Sequence, residues 1–189
     1  MRFLPIATLG FLSIGTVQAG AEQNAAPVIG LAQYLQIGYA GVKADLSDAA
    51  AKMPPSEYGF VPSEMPEVRT FGQIFTHVAA AQFGACAAMT GEPDPTAGRD
   101  LERELETKSE VVAILAESFA FCDEAIASLT ETNVSELVRQ GRREIARGAA
   151  VVGLLAHGAE MYGISTVYLR AKNLVPPSTE RQLQRQRGR

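Results

Sequence analysis

No tryptophan occurs in this 189-residue chain, and histidine and cysteine appear only twice each. There is no glycine-rich phosphate loop, no H-E-x-x-H pair, no C-x-x-C pair and no internal repeat. Nucleotide binding through a phosphate loop, zinc-protease chemistry and a vicinal dithiol centre therefore find no support in motif. No Ser/His/Asp or Cys/His set can be argued from spacing either. Basic charge is in short supply: the net charge is -4, which excludes a nucleic-acid binder acting through overall charge. Long apolar runs are also missing. The one at the N-terminus, Phe3 to Val17, is broken by Pro5, Gly10 and Gly15 and is too short for a good membrane anchor.

What is present is a chain 47% hydrophobic, enough for a core, and of a length that suits one domain. Frequent alanine and glycine favour closely packed helices over a β sandwich. The first residues read as a secretion signal. Arg2 supplies the positive start, the apolar run follows, and Val17-Gln18-Ala19 puts small residues at the cleavage positions. The expected domain plan is a signal peptide over 1–19, one helical domain over 20–178 and a basic disordered tail over 179–189. Loss of Arg2 with the signal takes the net charge from -4 to -5. The expected address is periplasmic or secreted, with no membrane span once the signal is removed.

Helical spacing of Leu31, Leu35, Val42, Leu46, Ala49 and Met53 predicts a first helix over about 28–53, stopped by Pro54-Pro55. Residues 56–69 read as an ordered loop. Thr70-Phe-Gly-Gln73 is a capping box that opens a second helix to about Thr90. Its apolar face is Phe71, Ile74, Phe75, Val78, Gln82, Ala85 and Met89, with His77 on an adjoining face beside Ala81, Gly84 and Ala88. After a long connection, in which 99–106 is charged and has room for a helical turn, Thr107-Lys-Ser-Glu110 caps a third helix to about Thr130. Its inner stripe is Val111, Leu115, Ser118, Cys122, Ile126 and Leu129. The link 130–141 is expected to hold a short helical turn. A fourth helix then runs over about 143–172, with Ala146, Ala150, Gly153, His157, Met161, Ile164 and Tyr168 on one stripe. Helices with no β pattern give an all-α four-helix bundle. The tail holds Arg181, Arg185, Arg187 and Arg189 among glutamines; a solvated, frayed end is preferred to a polyanion-binding arm.

Several stretches together resemble a known family. They are Met53-Pro-Pro-Ser-Glu-Tyr-Gly-Phe60, Val68-Arg-Thr-Phe-Gly-Gln-Ile-Phe-Thr-His77, His157 with Tyr162-Gly163 five residues on, Tyr168-Leu-Arg170 and Pro176-Pro177. In order and spacing they are similar to the DinB-like four-helix bundle superfamily, over roughly 28–178. The resemblance implies an up-down-down-up bundle with a long crossover between the second and third helices. It also implies a divalent metal, often nickel or zinc, on three histidines. His77 matches the ligand on the second helix and His157 the first on the fourth. Met161 stands where the third histidine is expected, and Glu160 is no substitute because one helical residue turns a side chain about 100° away.

Read by themselves, the two histidines are more often ordinary hydrogen-bonded groups than ligands. Met161 reads first as a gap-filler in a decayed site; its thioether otherwise suits copper(I) better than zinc or nickel. Tyr162 and Tyr168 match family pocket positions, and a phenol near the pocket has a proton to donate. A packing role is preferred for both, and for Arg170 near the end of its helix. Asp123 and Glu124 read as solvated. Cys86 and Cys122 are expected to form a disulfide if the second and third helices run parallel, which puts them at nearly one height; buried free thiols are the alternative. Three functions stay open: a metal-dependent transferase or hydrolase acting on an unknown small molecule, a non-catalytic bundle binding a small apolar ligand or a partner, and a homodimerising structural protein.

Overall fold

A computed structural model describes residues 27–188. The expected signal peptide lies outside them. The described chain is built mainly of helices: α1 (Leu31–Lys52), a 3₁₀ turn (Pro55–Glu57), α2 (Phe71–Thr90), α3 (Leu101–Glu104), α4 (Lys108–Ala127), α5 (Arg147–Ala171) and α6 (Pro177–Arg187). Among the four long ones, α2 packs on α4 and α5, while α1 packs on the same two from the other side.

Local chemistry starts and stops these helices. Both capping boxes form: the Thr70 hydroxyl accepts from the Gln73 N–H while the Gln73 side chain accepts from the Thr70 N–H, and Thr107 and Glu110 repeat the exchange. Gly91, at φ 78°, closes α2 in the left-handed region, where a side chain would be strained. α1 has no cap of its own. Instead the Glu131 carboxylate accepts from the N–H groups of Leu31 and Ala32 at 3.1 and 2.8 Å. At its other end the Lys108 ammonium donates to the carbonyls of Ala51 and Met53. Both charges complement the helix dipole.

The apolar faces of α2 and α4 are buried as their spacing predicts. Phe71, Phe75, Leu115 and Phe119 centre the core with Leu46 of α1, Met53 just after it and Leu169 of α5. Cys86 and Cys122 are joined between α2 and α4, with Cα atoms 5.3 Å apart and both side chains fully buried.

Three sequence expectations fail. First, the fourth helix does not start near 143, although the 130–141 link does hold one helical turn, in which the Val134 N–H donates to the Thr130 carbonyl. Leu137–Gln140 and Arg143–Ala146 pair antiparallel as a hairpin, β1 and β2, with Val138 opposite Ile145 and Gly141 at φ 61° in the turn. α5 accordingly begins at Arg147, its first N–H groups donating to the carbonyls of Glu136 and Val134. Second, the buried face of α5 is Ala150, Val151, Leu154, Gly158, Met161, Ser165, Tyr168 and Leu169, whereas Gly153 and Ile164 of the expected stripe are exposed. The helix is turned so that His157 sits at the edge of its buried face. Third, the tail expected to fray is helical through Arg187. Arg181 pairs with Asp45 and Asp48, and Glu180 with Lys52, all on α1.

Candidate functional site

The two histidines meet where α2 and α5 pack together. Their ring centroids are 5.0 Å apart with planes at 63°, an edge-to-face contact. Both rings are half-buried. The small neighbours play unequal parts. Ala81 and Gly84 flank His77 on its half-buried stripe, while a Cβ on Gly153 would touch nothing within 4 Å.

His77 is held from outside the bundle. Its Nδ1 lies 2.9 Å from Glu102 Oε1, on the short helix α3 of the long connection. Arg69, just before α2, donates from Nε to the other carboxylate oxygen at 2.9 Å, and its Nη2 comes to 3.2 Å from the same His77 Nδ1. The α2 cap ties this arrangement down further, because Gln73 Nε2 donates to the Glu102 carbonyl. Glu102 also lines a cleft of about 420 Å³ with Tyr58, Gln73 and Leu105.

Burial lowers the pKa of His157 from its ordinary value, and the neighbouring His77 lowers it further. Glu160 opposes this and Arg69 adds to it. At neutral pH His157 is therefore an uncharged imidazole with a lone pair to offer. Met161, one turn further along α5, is buried.

The other candidates lie at varying distance from this pair. The Tyr168 hydroxyl donates to the Arg69 carbonyl at 2.8 Å, so the phenol braces the residue that holds Glu102. Burial raises its pKa, with Arg69 opposing. Tyr162 faces the start of α6: its hydroxyl donates to Ser178 Oγ and accepts from the Ser178 N–H. Arg170 is exposed and donates to Thr166 Oγ1 at 2.9 Å. Asp123 pairs with Lys43, and both line a cleft of about 770 Å³ between α1 and α4. Sequence reasoning missed Arg69 and Glu102. Their only trace in the sequence was a charged stretch in a connection and an arginine quoted for family resemblance.

A sequence profile of the DinB superfamily matches residues 39–163. The chain belongs to this family. The match runs from α1 to the middle of α5 and includes both histidines and Met161. Solved structures agree in fold. A DinB-like protein from Bacillus cereus ATCC 10987 is 12% identical with a TM-score of 0.61, over 76% of this chain and 93% of that one. A DinB-like protein from Bacillus subtilis is 13% identical with a TM-score of 0.57, over 74% and 92%. A conserved protein from Enterococcus faecalis is 13% identical with a TM-score of 0.61, over 76% and 97%. No protein of curated function matches.

Among the described residues no three His, Cys, Asp or Glu side chains cluster as a metal site. The donor set can still be weighed against a divalent ion. Two imidazoles in contact, one uncharged and one with Nδ1 turned to a carboxylate, suit a cation at their free nitrogens. A thioether in the third place adds little for zinc or nickel. The residues fit a two-imidazole centre completed by water.

Proposed function

We propose that this is an exported DinB-like bundle that binds a divalent metal, zinc or nickel, weakly on His77 and His157. The 5.0 Å approach of the two rings carries the reading. Ligand nitrogens must lie about 2.0–2.1 Å from one ion, and rings in contact are compatible with that. A bound ion would supply Lewis acidity to a coordinated water. Around it, Glu102 and Arg69 orient His77, and Tyr168 braces Arg69.

We read the four long helices as up-down-down-up. Cys86 follows the Thr70 cap by sixteen residues and Cys122 follows Thr107 by fifteen. Their meeting at 5.3 Å favours parallel α2 and α4 joined by the long connection. Export rests on the sequence of residues 1–19, and a buried disulfide suits an oxidising compartment. Intact-mass measurement of exported protein should give a chain starting at Gly20; a mature chain keeping Met1 rejects export by this signal.

Elemental analysis and calorimetric titration of untagged protein test the metal. The parent should take zinc or nickel weakly, and Met161→His should bind at least tenfold more tightly. Tight stoichiometric metal in the parent rejects the weak-site reading, and no gain in the variant rejects the site. A second, non-catalytic reading has its own support: Tyr34 and Ile37 of α1 and Val152 and Val167 of α5 are exposed apolar side chains suited to a partner or a second copy. Light scattering across a concentration series addresses that reading.

A further inference from the structure

We propose that Glu102 is a positioning residue that fixes the tautomer of His77, placing the proton on Nδ1 and leaving the Nε2 lone pair free for a cation shared with His157. The metal half of this inference rests on the function proposed above; the tautomer half does not.

Two neighbours compete for His77 Nδ1, and they demand opposite things of it. The Glu102 carboxylate is an acceptor only, so at 2.9 Å it requires an N–H at Nδ1. The Arg69 guanidinium is a donor only, so its Nη2 at 3.2 Å would require a bare Nδ1 and hence a proton on Nε2. One nitrogen cannot satisfy both. The carboxylate contact is shorter. Arg69 already has an acceptor for its Nε in the other Glu102 oxygen at 2.9 Å. A bare Nδ1 against a carboxylate oxygen would set two lone pairs against each other at hydrogen-bond distance. The proton therefore belongs on Nδ1, donated to Glu102, and Nε2 is the open nitrogen. A carboxylate behind an imidazole in this way also raises its basicity as a ligand.

The position of Glu102 supports the assignment. It lies on a four-residue helix in the long connection between α2 and α4, outside both histidine-bearing helices. Its carbonyl takes the Gln73 amide and its carboxylate takes Arg69, so backbone and side chain are both anchored. Its side chain is about a quarter exposed, so water does not dominate the contact.

Imidazole nitrogen NMR on metal-free protein at a pH where His77 is neutral reads the tautomer directly. Wild type should show the Nδ1–H form. Glu102→Ala should leave Arg69 as the remaining partner and switch His77 to Nε2–H. Glu102→Gln preserves side-chain shape and covers failure of the alanine variant to fold; its amide no longer demands a proton at Nδ1, so the Nε2–H signal should rise. A wild-type Nε2–H form overturns the proposal without any variant, and so does an unchanged tautomer in a folded Glu102 variant. With nickel chloride as the probe, the same variants should lose affinity by roughly 10–100-fold. Unchanged nickel affinity overturns the link to metal. If the parent takes no nickel at all, the metal-binding function falls while the tautomer is still decided by the spectrum.

Discussion

Gly158 of α5 lies against Val42 of α1 so closely that a Cβ on the glycine would stand 2.5 Å from Val42 Cγ1. It would also meet Leu46 Cδ1 at 3.5 Å. Alanine is about 1 kcal/mol better than glycine inside a helix. Crowding a packed contact typically costs about 1–3 kcal/mol, and β-branched Val42 has few rotamers to escape into. Gly158→Ala should therefore lower stability by about 1 kcal/mol net. Gly153→Ala is the control: it meets nothing within 4 Å and should raise stability by up to about 1 kcal/mol. Urea midpoints of the two variants should move in opposite directions.

That contact also shows why part of the fold was illegible. α5 has small or apolar residues on every side, so the sequence held little to distinguish its buried face. The stripe through Gly153, His157 and Ile164 looked as good as the true one, which shares Ala150, Met161 and Tyr168 with it but runs through Leu154, Gly158 and Ser165. α2 and α4 carry large side chains at regular spacing and capping boxes that depend on three neighbouring residues, and both were readable. The hairpin was not. Its strands have only two facing apolar pairs, Leu137 with Ala146 and Val138 with Ile145, beside Arg139, Gln140, Arg143 and Glu144, and its turn has no Asn-Gly or Asp-Gly. The site divides the same way. His77 and His157 were found through resemblance, but Glu102 reaches His77 from the connection beyond α2 and Arg69 from the loop before it, and no helical spacing records either contact.

The buried link between Cys86 and Cys122 closes a loop with a sequence separation of 36. Intact protein should show no alkylation without reductant and two added groups after reduction. A cross-link of that span limits the unfolded chain by about 3–4 kcal/mol. The Cys86→Ala/Cys122→Ala variant should accordingly melt at markedly lower denaturant. Two thiols freely alkylated in unfolded, unreduced protein would show that the bond does not form.

Two tyrosines give the fold an alkaline limit. Burial raises the pKa of Tyr39; Asp123 raises it further, while its bond to Gln82 opposes. Burial also raises that of Tyr58, whose hydroxyl donates to the Ala50 carbonyl. Unfolded phenols lose their protons near about 10. The folded pKa values are higher, so above that pH the unfolded chain holds fewer protons than the folded one. Stability from these groups is fully present below about 10 and is lost as pH climbs towards the folded values. Urea unfolding at stepped alkaline pH should show the decline. Tyr58→Phe should flatten the slope, even though losing the bond to Ala50 lowers stability overall. An equal slope in the variant would assign the decline to other groups.

Helix α6 depends on charge more than on apolar packing, since Pro177 is its only fully buried residue among those described. Arg181 bridges Asp45 and Asp48, which lie three apart on one face of α1, and Glu180 holds Lys52 one turn further on. Each partly exposed pair contributes only up to about 1 kcal/mol, and salt screens it. Arg181→Ala should leave the melting of the bundle almost unchanged while releasing α6. Amide hydrogen exchange over 180–187 should rise several-fold, and trypsin should cut sooner at Arg185 and Arg187. High salt should bring the parent towards the same behaviour. If exchange in α6 is instead insensitive to both the substitution and salt, the contacts of Pro177 and of Tyr162 with Ser178 hold the helix, and the ion pairs are incidental.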